Sequence, residues 1–190
     1  MSRAPLIVMA GPSGVGKTTV AEHWLANCPF PMRRAITATT RTPRPAERSE
    51  IDYHFWTEEE FRMARDAGQM LEWAEVHKTD LYGTPRSEVD PFREKGTAVL
   101  LVIDVQGAAQ VRLSDPDHLS IFLQPPCFAS LEERLIARGD APDRIARRLS
   151  TAREELERAG EFDRVVVNAD IFATVRTLTC LTQHAFRTRG

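Results

Sequence analysis

The stretch Leu6-Ile7-Val8-Met9-Ala10-Gly11-Pro12-Ser13-Gly14-Val15-Gly16-Lys17-Thr18-Thr19 decides the fold. Its first part, with Pro5 before it, is a short apolar run bounded by glycine, the pattern of a strand buried on both faces. Its second part, Gly11 to Thr18, matches G-x-x-x-x-G-K-[ST], a phosphate-binding loop. From Lys17 to Asn27 the apolar positions Val20, Ala21, Trp24 and Leu25 follow helical spacing. Strand, loop and helix thus occur in the order the motif needs. The glycines let successive backbone N–H groups turn inward toward phosphate oxygens, and the helix offers its N-terminus to the same anion. Lys17 is placed to reach β- and γ-phosphates, and the Thr18 hydroxyl to coordinate Mg²⁺ beside them. The expectation is an ATP site formed by Gly11, Pro12, Ser13, Gly14, Val15, Gly16, Lys17, Thr18 and Thr19. The G-x-G-x-x-G spacing of dinucleotide-binding enzymes is absent.

Working outward, three more apolar runs read as buried strands: Thr97 to Asp104, Leu119 to Leu123 and Arg164 to Asn168. Helices are expected over Phe128 to Arg138, stopped by Gly139, over Pro142 to Ala159, and over Ile171 to Arg187. Buried strands alternating with helices give an α/β fold with a parallel sheet and right-handed crossovers. Residues 34 to 84 break that rhythm. Arg34 to Arg41 alternates and is Thr-rich, like an exposed strand. Thr42 to Asp52 reads as a loop and Tyr53 to Trp56 as a short aromatic strand. Thr57 and Glu60 form a capping box for a helix with Phe61 and Ala64 on its apolar side, ending near Gly68. Met70 to Val76 reads as a further strand. The section is read as a subdomain inserted into a core of residues 1–33 and 97–190.

Bulk properties narrow the function. The chain has 190 residues, 42% apolar and 27% charged, ordinary for one soluble globular domain. A formal net charge of -2 gives no electrostatic case for nucleic acid or an anionic membrane. No run approaches the ~18 apolar residues of a membrane span. The N-terminal apolar run is too short for a signal peptide. Only three basic residues are lysines (Lys17, Lys78 and Lys95), and the arginines that make up the rest suit bidentate phosphate contacts. Cys28, Cys127 and Cys180 lack metal or redox spacing and read as buried thiols in a reducing compartment, the cytoplasm.

Several segments, in order, carry a closer likeness. Thr39-Thr40-Arg41-Thr42-Pro43-Arg44-Pro45, then Glu47 and Asp52-Tyr53-His54-Phe55, are followed by Leu71-Glu72-Trp73-Ala74-Glu75-Val76 and Tyr82-Gly83-Thr84. Asp104-Val105-Gln106-Gly107, Arg134-Leu135 with Arg138-Gly139, Arg148-Leu149 and Val167-Asn168 complete the series. Over residues 5 to 170 the chain resembles the guanylate kinases. The resemblance implies a phosphate-loop NTPase fold with a GMP-binding insert at about 34–84 and a helical lid at about 138–155. It implies transfer of the γ-phosphoryl group of ATP to GMP or dGMP, with Mg²⁺, by a monomer or homodimer. It implies that Thr37, Arg41, Arg44, Tyr53, Glu72, Tyr82, Thr84 and Asp104 bind the acceptor. Lys17, Arg41, Arg134, Arg138 and Arg148 would serve the transfer, and Arg134 and Asn168 the ATP.

The chemistry of these residues fits those roles. Arg41 and Arg44 make a two-pronged clamp for a monophosphate, and the phenols of Tyr53 and Tyr82 add donors. One carboxylate accepts both the N1–H and the N2–H₂ of guanine, so Glu72 is its natural reader, completed by hydroxyls at Thr37 and Thr84. Adenine would set a bare N1 lone pair against that carboxylate, which leaves a buried charge unpaired. Arginines 33, 34 and 48 read as solvated, and 144, 147, 153 and 158 as surface partners of nearby glutamates.

Two positions depart from the family pattern. Glu50 stands where the family usually has glycine, so a positive φ there would strain it. Val102 replaces the first carboxylate of the usual D-x-D strand end, so whatever that group does for Lys17 or the metal must be absent or moved. A ribose 1,5-bisphosphate kinase on the same scaffold would not need Glu72, Thr84 and both clamp arginines. A non-catalytic guanylate kinase-like module would not need an intact Gly16-Lys17-Thr18.

Overall fold

The computed structural model describes residues 3–45, 47–76 and 80–187; Lys78 lies outside them. The apolar run at the start forms β1 (Leu6–Ala10), every residue of it buried. It sits at the centre of a five-stranded parallel sheet. Its neighbours are β7 (Ala98–Val102) and β8 (Leu119–Gln124), with β2 (Met32–Arg34) and β9 (Arg164–Val167) on the two edges, in the order β2-β7-β1-β8-β9. Two cores cover the two faces. On one, Ile7, Met9 and Leu100 pack with Trp24 and Val20 of α1 (Lys17–Asn27) and Leu178 of α7 (Ile171–Arg187). On the other, Val8, Leu101 and Phe122 pack with Ala108 and Val111 of α4 (Val105–Ser114) and with Phe162. A sheet dressed on both faces needs strands that are apolar throughout, as β1 and β7 are.

Residues 38 to 85 build a second, mixed sheet in the order β4-β3-β6-β5. Its strands are β3 (Ala38–Thr39), β4 (His54–Phe55), β5 (Met70–Val76) and β6 (Asp80–Pro85). Helix α2 (Glu58–Asp66) covers one side, burying Phe61 and Ala64 against Met70 and Leu81. Its capping box forms as expected: Thr57 accepts from the Glu60 N–H while the Glu60 carboxylate accepts from the Thr57 N–H at 2.7 Å. Gly68 follows with φ 68° and closes the helix. Helix α3 (Asp90–Glu94) leads back to the parallel sheet, and α5 (Ala129–Ala137) and α6 (Pro142–Glu157) lie between β8 and β9.

Several expectations need correction. The exposed strand at 34–41 is two pieces, because Arg34 closes β2 in the parallel sheet while Ala38 and Thr39 join the second sheet. Arg33 is not a solvated residue: its guanidinium pairs with Glu88 at 2.7 Å and stacks 3.7 Å over Phe92. Strand β9 is an edge strand, with only Val166 buried and Val165 and Val167 about half exposed. Its three-residue apolar run, Val165 to Val167, cannot distinguish an edge from a centre. The cysteines are not buried thiols, since Cys127 and Cys180 are exposed and Cys28 is partly so. No described helix is long and apolar enough to cross a membrane.

Candidate active site

The phosphate loop leaves β1 at its C-terminal end, where ligands gather in parallel sheets. Gly16 supplies the N-cap of α1 with φ 95°, a left-handed turn that opens the first helical N–H groups toward the loop. Lys17 Nζ donates to the carbonyl oxygens of Gly11 at 2.5 Å and Pro12 at 3.3 Å. Burial lowers its pKa, and the carboxylates of Glu155 and Asp104 pull the other way. Arg134 reaches under the loop, donating to Val15 O at 2.9 Å and Asn168 O at 3.1 Å. Asn168 donates to the same Val15 oxygen at 2.8 Å and accepts from Thr174. Val15 itself is fully buried, so it presents only its backbone. Above this brace lies a pocket of about 360 Å³ walled by Gly14, Gly16, Thr18, Thr19, Arg134 and Arg138, with Pro12, Ser13 and Lys17 also on its surface.

Across the fold, the second sheet and the loop after β3 hold most of the remaining candidates. Arg41 is fixed on every side: Nε donates to Tyr82 OH at 3.0 Å, and the two Nη atoms form a fork on Glu47 at 2.7 and 2.6 Å. Its guanidinium also lies 5.1 Å from the Tyr53 ring. The fork holds the Glu47 carboxyl down at about 2 and raises the arginine. Glu47 further accepts from the Arg44 backbone N–H at 2.8 Å, while the Arg44 side chain is mostly exposed and reaches Glu47 only at 4.0 Å. One prong of the clamp is therefore rigid and the other free to swing. Glu47 is the residue that sequence reasoning left without a role; its spacing six residues after Arg41 gave no sign of the fork.

Glu72, on β5, is 4% exposed and accepts from the Thr84 hydroxyl of β6 at 2.6 Å. Burial first, then the nearby Asp104 charge, raises its pKa to about 7 against the pull of Thr84. Gly107, in the first turn of α4, lets that helix pass close to it, since a Cβ there would sit 2.7 Å from Glu72 Oε2. Asp104 is the N-cap of α4, with Oδ1 accepting from the N–H groups of Gln106 and Gly107. Thr37 is half-buried just before β3, its carbonyl accepting from the His54 N–H.

The two halves meet in a cleft of about 1160 Å³ lined by Ser13 and Lys17 on one wall, Arg44 on another, and Arg148 and Glu155 of α6. An adjoining cavity of about 300 Å³ is walled by Asp104 and Glu155 with Ala74 and Gln106. Asp104 thus lies in electrostatic reach of both Lys17 and Glu72. Arg138 and Arg148 share the Asp140 carboxylate at 2.8 and 3.0 Å. Glu155 was also missed. Its carboxylate faces Lys17 and accepts from the Ser13 N–H, and burial raises its pKa. The available signal was its place seven residues after Arg148, on the same helical stripe. Val102 carries no carboxylate, and Glu155 brings one to Lys17 from another element. Glu50 does adopt a positive φ, of 64°, and its carboxylate meets His54 Nδ1 at 2.9 Å. The solvated reading holds for Arg48, exposed beside Asp52, and the surface-pair reading for Arg158, bound to Glu161. The latter does not hold for Arg153, which stacks 5.0 Å from Phe128, nor for Arg144 and Arg147, which line the cleft.

Comparison with known proteins gives a consistent result. The family model described as guanylate kinase matches residues 3–185. A guanylate kinase of Tropheryma whipplei is 46% identical over 167 residues, covering 87% of this chain and 86% of that protein. One from Synechococcus is 45% identical over 174 residues, covering 91% and 92%. The crystal structure of guanylate kinase from Anaplasma phagocytophilum superposes with a TM-score of 0.78 at 32% identity, over 96% of this chain and 86% of that one. With its phosphate loop, parallel sheet and second, mixed sheet, this chain belongs to the guanylate kinase family of phosphate-loop kinases.

Proposed function

We propose that this chain transfers the γ-phosphoryl group of ATP to a phosphate oxygen of GMP, or of dGMP, releasing ADP and the nucleoside diphosphate. The observation that carries the reading is the cleft shared by Lys17 and Arg44, with Glu72 buried within electrostatic reach of Asp104 in the cavity that adjoins it. In this reading the acceptor's phosphate lies on Arg41, Arg44, Tyr53 and Tyr82, and its guanine edge on Glu72, Thr84, Thr37 and Asp104. The triphosphate lies on the loop from Gly11 to Thr19, with Arg134 and Asn168 bracing it from below. An acceptor oxygen attacks the γ-phosphorus in line as the bond to the β–γ bridging oxygen breaks. Lys17, Arg138 and Arg148 neutralise the charge that moves between those oxygens.

Residues 34–84 act as the acceptor-gripping unit, and 138–155 as a lid that excludes water from the transfer. Mg²⁺ takes oxygen ligands and keeps several waters, so the exposed Thr18 hydroxyl and the nucleotide's phosphates suffice to hold it. Among the described residues no group of three or more His, Cys, Asp or Glu is arranged to bind a metal alone. Bound beside Thr18, Mg²⁺ would screen the charge of the phosphates. The cytoplasm, where both nucleotides are found, is the compartment this reading implies.

The test is ADP release with ATP and each of GMP, dGMP, AMP, CMP, UMP and ribose 1,5-bisphosphate. GMP and dGMP are expected to lead. Lys17→Ala is expected to lower turnover by at least about a hundredfold. Preference for AMP or for the sugar phosphate would remove the acceptor assignment.

A further inference from the structure

Helix α6 has three faces, and each has a different neighbour. Leu149 and Ala152 enter the core beneath the sheet, and Leu156 packs against the other core. Arg153 turns away to Phe128. The remaining stripe, Arg144, Arg147, Arg148, Thr151 and Glu155, repeats in steps of three and four and looks into the large cleft. Arg148 on that stripe is tethered to Asp140. Arg144 and Arg147 are exposed, and neither forms an ion pair among the described residues. They stand beside Arg148 on a helix where like charges three and four apart repel, which is unfavourable unless an anion enters between them.

The charge around the cleft is lopsided. Lys17, Arg44, Arg144, Arg147 and Arg148 face only Asp143 and Glu155, five cations against two carboxylates. The pocket above the phosphate loop has its own cations, Lys17, Arg134 and Arg138, and neither Arg144 nor Arg147 borders it. Both arginines do share the large cleft with Arg44, the free prong of the acceptor clamp. A phosphate monoester near neutral pH carries nearly two charges and presents three oxygens, more than Arg41 and Arg44 saturate.

We propose that Arg144 and Arg147 contact the acceptor's phosphate from the α6 side. The nucleoside monophosphate is then gripped between two walls, with Arg41 and Arg44 on the loop after β3 and Arg144 and Arg147 opposite. The assignment rests on the ATP:GMP reading above and extends it by two residues. It predicts a division of the lid, in which Arg144 and Arg147 of α6 serve the acceptor, Arg134 and Arg138, at the end of α5, serve the donor, and Arg148 lies between them at the transferred group.

The experiment is steady-state kinetics of the full chain with GMP and ATP varied separately, for the wild type, Arg144→Ala, Arg147→Ala, the double Ala variant and the double Lys variant. Both side chains are exposed, so thermal midpoints should match the wild type. The double Ala variant is expected to lose roughly tenfold or more in kcat/KM for GMP. Its KM for ATP should stay within about twofold, and the double Lys variant should recover most of the loss. An unchanged kcat/KM for GMP in the double Ala variant, beside a wild type that phosphorylates GMP, overturns the inference and leaves the functional reading standing. An equal rise in KM for ATP overturns the division of the lid and the inference with it. A wild type that turns over no GMP removes the reading itself.

Discussion

Glu72 shows how much one side chain carries here. Its carboxyl titrates near 7 in the fold, against an ordinary value of 4.5, because burial and the Asp104 charge disfavour the anion. The folded state therefore keeps a proton that the unfolded chain releases at lower pH. Stability contributed by this group is present below about pH 4.5 and lost as pH rises toward about 7, by on the order of 3 kcal/mol in total. Guanine demands the opposite form, since its N1–H and N2–H₂ need an ionised acceptor. Below pH 7, GMP binding must expel that proton, so KM for GMP should rise as pH falls, approaching tenfold per unit. Glu72→Gln should flatten that dependence to what the GMP phosphate itself contributes, and should abolish the fall in urea midpoint between about pH 4.5 and 7. Identical pH profiles for the two proteins would contradict the role given to this carboxylate. Glu50 teaches a second lesson. Its left-handed conformation costs about 1 kcal/mol relative to glycine, and the exposed contact to His54 offsets part of that. The strain was foreseeable from the family's glycine at that place, but the histidine partner was not.

The elements that sequence disclosed are those whose signals are short-range. β1 with its loop and α1, the Thr57 capping box and the glycine stops at 68 and 139 all rest on neighbours within a few residues. Helix α4 is not legible, because Asp104 both ends the apolar strand run and caps the helix, leaving no turn residues between them to mark its start. Strand β6 was read only as a binding segment, since Tyr82 and Thr84 are polar and its partners β3 and β5 are distant in sequence. Packing of α4 on β5 now gives a sharp expectation. Gly107→Ala would improve intrinsic helix propensity by up to about 1 kcal/mol, yet its methyl would press on Glu72 Oε2. The variant should fold with little change in KM for ATP and lose GMP recognition, with kcat/KM for GMP down by about tenfold or more. A gain in stability with GMP kinetics intact would show that Glu72 can move aside at no cost.

The proposed catalytic arrangement draws on four separate pieces of chain: the loop after β1, the segment from Arg41 to Glu47, the β5–β6 pair with α4, and helices α5 and α6. Motif order made the donor half legible, because its parts are contiguous. The acceptor half was legible only through family likeness, because no local pattern says that Glu47 forks Arg41 or that Glu155 turns toward Lys17. Lys17, Arg44, Arg148 and Glu155 share the large cleft, with Asp104 in the cavity adjoining it, and that donor and acceptor meet there is the proposition on which the rest depends. If donor and acceptor phosphates lie in line there, one molecule carrying both ends should fill it. Adenosine and guanosine joined 5′ to 5′ through five phosphates should compete with ATP and with GMP alike, and bind more than about a hundredfold tighter than either. Competition against one substrate only, at an affinity no better than that substrate's own, would mean that the two sites do not share a cleft.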